Sequence, residues 1–334
     1  MYFMDVTLKD IAVNYPETGN LTNKLILNTG PAPAGFIAEA IKEINVPGNS
    51  FLLTHNAELR LDGKKTGLLI DLNNLSYKKN VNDYLRSVNK SLEISSFYIG
   101  HVFTAASPKS LKGISNIFIK PQKNHSFSVA ETLGRLVYCG FEIINYEIIE
   151  TSIWFVVRKT KEPVIGPEPA TGLIAKMKRT GKNGKPIFIY KLRTMYPYSE
   201  YIQEYVVKNN GYSETGKPNN DFRLLPFAKI IRKLYIDEIP QLYNLFKGDI
   251  NIVGFRPLSQ VGLQYLPLDI QEERKNYKPG LIPPQIALGL KGIEGVVKAE
   301  RTYLAELKTG SVKTNFKYFF KAVFNLITMR SKGS

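Results

Sequence analysis

Tyr235-Ile-Asp-Glu-Ile-Pro-Gln-Leu-Tyr-Asn-Leu-Phe-Lys-Gly-Asp-Ile-Asn-Ile-Val-Gly-Phe-Arg-Pro-Leu258 sets two adjacent carboxylates, Asp237 and Glu238, at the mouth of a short helix. Pro240 is tolerated in the first turn, where its missing N–H has no intrahelical partner to lose. A strand and a glycine turn follow, with Arg256 just behind them. Neighbouring helix residues point about 100° apart, so one acid can face a reacting centre while the other holds a metal. Adjacent acids at a helix start, with arginines nearby, suit phosphate chemistry with a divalent cation.

Outward from that stretch, the chain is long enough for two domains: 334 residues, 43% of them hydrophobic, with a mean hydropathy of −0.16. The charge is uneven. Residues 1–160 carry 17 Lys and Arg against 14 Asp and Glu, and residues 161–334 carry 28 against 15, so the second half holds most of the net +16. That half faces something anionic: nucleic acid, a phosphorylated substrate or an acidic membrane surface. No helix-turn-helix, zinc-finger or RNP-type pattern supports nucleic acid. The one cysteine, Cys139, permits no intramolecular disulfide and reads as a small core residue. His55, His101 and His125 form no ligand-spaced set with it, which argues against zinc. No window of about eighteen uncharged apolar residues predicts a membrane span, and Met1–Thr7 lacks a signal-peptide pattern. The expectation is a protein kept on the cytoplasmic side.

Along the chain, residues 1–22 read as irregular. Lys24–Pro31 reads as a strand entering a loop, and a helix follows near Ala34–Ile44. Strands are predicted over Gly67–Leu72, Phe97–Phe103, Phe141–Ile149 and Ser152–Arg158, with helices over Val81–Leu92 and Ala130–Cys139. The alternation predicts an α/β sheet domain over residues 1–159. Thr160–Gly172, with three prolines and two glycines, predicts a linker, and residues 173–334 a second domain.

The order of the later elements in residues 1–158 resembles the second half of a class I methyltransferase, a Rossmann-like fold. The acidic, glycine-rich cofactor loop of that family has no match. Asn28-Thr-Gly-Pro-Ala-Pro-Ala-Gly35 is at best a remnant, because prolines remove the backbone donors such a loop offers. From Lys176 onward the chain resembles the bacterial sugar transferases, phosphoglycosyl transferases that load a sugar phosphate onto a polyprenyl-phosphate carrier. The matching motifs come in order: Gly181-Lys-Asn-Gly-Lys185, Lys191-Leu-Arg-Thr-Met195, Asp221-Phe-Arg223 with Ile231-Arg-Lys233, Asp237-Glu-Ile-Pro-Gln-Leu242, Gly254-Phe-Arg-Pro-Leu258 and Lys278-Pro-Gly280.

The resemblance implies a compact, helix-rich catalytic domain that uses a UDP-sugar, polyprenyl phosphate and magnesium, initiating a surface polysaccharide. By the same resemblance Asp237 is the nucleophile, Glu238 binds Mg2+, and Arg232 and Arg256 contact phosphate. Arg193 and Lys191 are further phosphate-binding candidates, and, like Asp221, read equally as partners in a local ion pair. Taken alone, Asp237 reads as a helix cap, Glu238 as a first-turn acid, Arg232 as part of a surface charge run and Arg256 as a turn residue. The ordered flanking motifs favour chemistry. Two rival functions stand beside it: a non-catalytic nucleotide-sugar-binding or scaffold relative, and an S-adenosylmethionine-dependent methyltransferase.

The family's apolar re-entrant helix ahead of the Gly-x-Asn-Gly-Lys turn is replaced here by the proline-rich linker. In compensation, Lys313–Arg330 places Phe316, Phe319, Phe320, Val323, Phe324 and Ile327 at helical spacing, with Lys317 and Lys321 elsewhere. It reads either as an interfacial helix, with Phe316, Phe320, Phe324, Lys317 and Lys321 in contact with an anionic membrane, or as a helix docked on the domain core. Pro283 and Pro284 stand where the family has Thr-Gly, and Phe255 replaces its proline.

Overall fold

The computed structural model describes residues 11–14, 18–44, 50–54, 65–105, 126–163, 166, 168–211 and 218–328. The readings of Met1–Thr7, His55, His125 and the last residues of the C-terminal helix, including Arg330, lie outside the described residues.

The chain is a mixed α/β protein. Its first part runs β1 (Ile11–Asn14), α1 (Thr18–Thr29), α2 (Pro31–Glu43), β2 (Ser50–Thr54), β3 (Thr66–Asn74), α3 (Val81–Lys90), β4 (Leu92–Phe103), α4 (Val129–Tyr138), β5 (Phe141–Ile149) and β6 (Ser152–Lys159). The six strands form one sheet in the order β1-β2-β3-β4-β6-β5. β2, β3 and β4 are parallel, and β1, β6 and β5 add antiparallel pairings at the two sides. Continuous apolar runs such as Leu68-Leu-Ile70 are buried on both faces, as a covered parallel sheet demands. Side chains of Asn80 and Ser128 accept from the first-turn amides of α3 and α4, fixing where those helices begin.

The second part runs β7 (Ile174–Thr180), β8 (Pro186–Leu192), α5 (Gln203–Asn210), α6 (Ala228–Lys233), α7 (Gln241–Phe246), β9 (Asn251–Val253), α8 (Gln260–Leu263), α9 (Leu268–Arg274), β10 (Gly280–Ile282), α10 (Pro284–Leu288), α11 (Gly292–Thr309) and α12 (Ser311–Ile327). β7 and β8 form a hairpin, and β9 and β10 a short parallel pair.

Three expectations are corrected. Lys24–Pro31 is no strand: most of it lies in α1, and only Leu25 of its Leu-Ile-Leu run is buried. Three apolar residues in a row cannot fix a period, and the Thr29 hydroxyl closes the helical turn on Leu25 O. The supposed loop remnant at Asn28–Gly35 is the junction of two helices, with Gly30 (φ 85°) breaking the chain before Pro31 starts α2. The irregular start contains β1 and the first turns of α1. β2 carried no sequence signal that was read.

The six-stranded sheet and the start of the second part share one core. Tyr196, Tyr198, Ile202, Val206, Leu225 and Ala228 are buried in the same cluster as Leu85, Leu133, Leu136 and Tyr138 of α3 and α4. Gly134 makes this possible: a Cβ there would stand 2.2 Å from Tyr198 O, so the helix rests directly on the Tyr198 backbone. A separate core joins Val253 and Phe255 to Tyr303, Leu304, Tyr318 and Ala322 of α11 and α12.

Candidate active site

Two left-handed backbone residues, Phe227 (φ 64°) and Tyr235 (φ 56°), precede α6 and the single 3-10 turn Ile236–Glu238. Such conformations cost roughly 1–3 kcal/mol each and persist only where the surroundings impose them. Here they turn the chain sharply enough to bring both acids back towards β8. Asp237 is buried and Glu238 is half-buried.

β8 is held in place by a side chain that imitates a neighbouring strand. The Asn244 amide of α7 donates to Phe188 O (2.6 Å) and accepts from the Tyr190 N–H (3.0 Å). The residue is fully buried, so both bonds are made out of competition with water. From that strand, Lys191 Nζ reaches Glu238 Oε1 at 2.6 Å. Arg232, in the last turn of α6, donates from Nε to Thr194 Oγ1 at 2.9 Å. Burial draws the Arg232 pKa down, and the charges of Asp237 and Asp221 oppose it. Burial also raises the Asp237 carboxyl; Glu238 adds to that rise, while Lys191 and Arg232 oppose it. Asp237, Glu238, Lys191 and Arg232 therefore form one cluster of two acids and two cations.

Arg193 and Arg256 are not in those contacts. The Arg193 guanidinium donates to Gly172 O (2.8 Å) and Ala170 O (2.5 Å), tying the end of β8 to the linker. Asp221 is a bidentate partner of buried Arg223, whose other end bonds Gln203. Arg256 has an exposed side chain near half-buried Arg179, whose pKa is lowered first by burial and then by Arg256. The Arg256 carbonyl accepts from Arg274 Nη2 (2.5 Å), and Arg274 Nη1 pairs with buried Glu300 (2.5 Å). The Arg274 guanidinium also lies 5.1 Å from the Phe255 ring centroid, so Phe255 has a packing role its position in the motif did not suggest.

The glycine motifs have a steric reason. A Cβ on Gly280 would stand 2.0 Å from Gly254 N, and the Gly280 N–H donates to Phe255 O at 2.8 Å. The backbone at Gly254-Phe-Arg-Pro therefore runs against Lys278-Pro-Gly with no room for a side chain between them.

Thr194, Asn244, Arg274 and Glu300 were not singled out from the sequence. Thr194 lies inside the Lys191–Met195 motif and Asn244 inside the opening stretch; Arg274 and Glu300 carried no local signal.

In α12, Thr314, Tyr318 and Ala322 are buried against the domain, while Phe316, Phe320, Phe324 and Ile327 are exposed, with the Phe316 and Phe320 rings stacked at 6.4 Å. The helix is thus docked by one face and bare on the other. Lys317 pairs with Glu306 at 2.8 Å, and Lys321 is exposed. A second bare apolar surface lies beside the acids: Ile230, Leu234, Ile239, Leu242 and Phe246, edged by Lys229, Lys233 and Lys247. Among the described residues no helix is long and apolar enough to cross a membrane.

Among the described residues no three His, Cys, Asp or Glu side chains could hold a metal on their own. Magnesium is commonly held by one or two carboxylates together with substrate phosphates and water. The half-buried Glu238 carboxylate beside Asp237 fits that mode.

A family model described as bacterial sugar transferase matches residues 161–329. The uncharacterized sugar transferase EpsL of Bacillus subtilis is 41% identical over 108 residues, covering 32% of this chain and 46% of that protein. The UDP-glucose:undecaprenyl-phosphate glucose-1-phosphate transferase of Caulobacter vibrioides is 30% identical over 168 residues, covering 48% and 58%. The chain thus spans about half the length of these curated relatives. A solved complex of a Haloferax volcanii putative methyltransferase with its Trm112 activator covers 43% of this chain and 79% of that chain at 12% identity, and its TM-score of 0.27 carries no argument about the fold. The matched span covers half of the chain and contains every motif assembled around Asp237, Glu238 and Gly254: the chain belongs to the bacterial sugar transferase family.

Proposed function

We propose that this protein moves a sugar 1-phosphate from a UDP-sugar to polyprenyl phosphate, the first step of a surface polysaccharide. The observation that carries this reading is the buried Asp237 carboxylate facing Lys191 and Arg232 within the family's motifs. A carboxylate attacking a phosphoanhydride approaches an anion, so nearby cations must offset the charge.

In this reading an Asp237 carboxylate oxygen attacks the phosphorus that carries the sugar. A P–O bond forms, the bond to the bridging oxygen breaks, and UMP leaves with that electron pair. A polyprenyl phosphate oxygen then attacks the same phosphorus, the aspartyl–phosphorus bond breaks, and the carboxylate is restored. Lys191 and Arg232 steady the charge around Asp237, and the exposed Arg256 guanidinium is free to bind a phosphate oxygen in the role its motif implies. Glu238, with the substrate phosphates, would hold Mg2+, which supplies charge neutralisation when bound.

Residues 1–159 serve here as a degenerate Rossmann-like module and residues 173–334 as the catalytic domain. The protein works at the inner face of the cell membrane as a peripheral protein. The bare aromatic face of α12 and the lysine-edged apolar surface of α6 and α7 support that placement.

Full-length protein is incubated with magnesium, polyprenyl phosphate and a panel of radiolabelled UDP-sugars, beside Asp237→Asn. Lipid-linked label from wild type only is the expected result. Equal absence of label from both proteins across the panel overturns the reading and favours a binding or scaffold role; binding of S-adenosylmethionine would revive methyl transfer.

A further inference from the structure

Glu168 lies in the linker, yet its carboxylate is where the two parts of the chain meet. Oε2 accepts from Asn82 Nδ2 (2.5 Å) and from the Tyr198 hydroxyl (2.6 Å), and Oε1 pairs with Arg86 Nη2 (2.6 Å). Asn82 and Arg86 belong to α3 under the six-stranded sheet; Tyr198 belongs to the segment that follows β8. The Tyr198 hydroxyl both donates to Glu168 and accepts from Asn82 (2.6 Å), so its hydrogen-bonding capacity is used on both sides. The Arg135 guanidinium of α4 covers the Tyr198 ring at 4.2 Å, and Gly134 lets the same helix touch the Tyr198 backbone.

Tyr198 is fixed in turn to the catalytic cluster. The Tyr196 N–H donates to Arg223 O (2.9 Å), Met195 bridges Leu224, and the Leu225 N–H donates to Thr194 O (3.0 Å). These bonds zip residues 194–196 against 223–225, directly ahead of α6. Thr194 Oγ1 then accepts from Arg232 Nε, beside Asp237. Hydrogen bonds, main-chain pairing and the short covalent run from Tyr198 back to Thr194 together connect α3 to the arginine next to the acidic pair.

We propose that Glu168 and Tyr198 are positioning residues that act through Thr194 to set Arg232 against Asp237, so that the N-terminal sheet is part of the catalytic framework. A purely structural role would loosen the whole protein; a positioning role loosens residues 228–239 selectively. The kinetic consequence rests on the transferase reading, and the positional one does not.

The test compares full-length wild type with Tyr198→Phe, Glu168→Gln, Thr194→Val and Thr194→Ser, first by amide hydrogen exchange without substrate. Tyr198→Phe, Glu168→Gln and Thr194→Val should each speed exchange in residues 228–239 by about tenfold, the scale of one lost hydrogen bond at a charged partner. Exchange in α11 and α12 should not change, and Thr194→Ser should match wild type because the acceptor oxygen remains. In the transfer assay kcat should fall for the first three variants, with KM for the UDP-sugar little altered and Thr194→Ser restoring the rate. Unchanged exchange at 228–239, or an equal rise in all regions, overturns the proposal. Selective exchange in a wild type that transfers no sugar leaves the positional link standing and removes the transferase reading instead.

Discussion

Gly280 and Gly254 are packed backbone on backbone: a Cβ built on Gly280 would come within 2.0 Å of the Gly254 amide nitrogen. The obstacle is main chain and cannot rotate aside. Gly280→Ala should therefore cost about 3 kcal/mol or more, the upper end for overpacking. Gly35→Ala is the natural contrast, because nothing lies within 4 Å of that added Cβ and the residue sits inside α2. It should stabilise by about 0.5–1 kcal/mol. Urea unfolding of the two variants beside wild type reads both signs.

Lys191 lies 2.6 Å from Glu238 and supplies a positive charge to Asp237. Lys191→Met keeps the length of the side chain and removes the charge. Transfer activity should drop by about a hundredfold, as for the loss of one preorganised electrostatic contact. Near-ultraviolet circular dichroism should remain that of wild type, and a lost spectrum would point to a folding role for the residue.

Glu168 gives a pH dependence with a definite sign. Burial pushes its pKa up, but donors from Tyr198, Asn82 and Arg86 outweigh this and hold it below the ordinary 4.5. A depressed carboxyl stabilises the fold fully above its unfolded pKa, and the gain is lost as pH falls through the folded value. The stability difference between wild type and Glu168→Gln should thus be constant from neutral pH to about pH 5 and shrink below pH 4.5. Urea midpoints measured across that range decide it; a difference that grows on acidification would contradict the assignment.

The exposed face of α12 offers a separable prediction. Phe316→Ser with Phe320→Ser removes two exposed aromatic rings that are not among the buried core residues, while Tyr318 and Ala322 still dock the helix. Sedimentation with anionic liposomes should fall at least several-fold with the melting temperature within a few degrees of wild type. Unchanged sedimentation would remove α12 from the membrane contact.

The elements with a clean period and a cap were legible in the sequence. α3 and α4 begin just after Asn80 and Ser128 and carry apolar residues on one face, β4 to β6 are long and rich in β-branched or aromatic residues, and β3 shows the continuous apolar run Leu68-Leu-Ile70. α1 was not legible, because its Leu-Ile-Leu run suits either period and Gly30 hides the junction with α2. The acidic pair, Lys191 and Arg232 were found because they lie in short ordered motifs. Thr194 and Asn244 act through contacts 38 and 54 or more positions away, which no local pattern encodes. Glu168 meets Asn82 across 86 positions, so a proline-rich stretch that reads as a spacer proves to hold a charged hub.

That Tyr198, Ile202, Val206 and Leu225 are buried among α3 and α4 has a consequence for engineering. The proline-rich stretch invites a cut, but separating the chain there would expose the apolar side chains that each part buries against the other. Grafting this transferase half onto another amino-terminal partner would need a matching glycine under Tyr198 and an asparagine–arginine pair to receive Glu168.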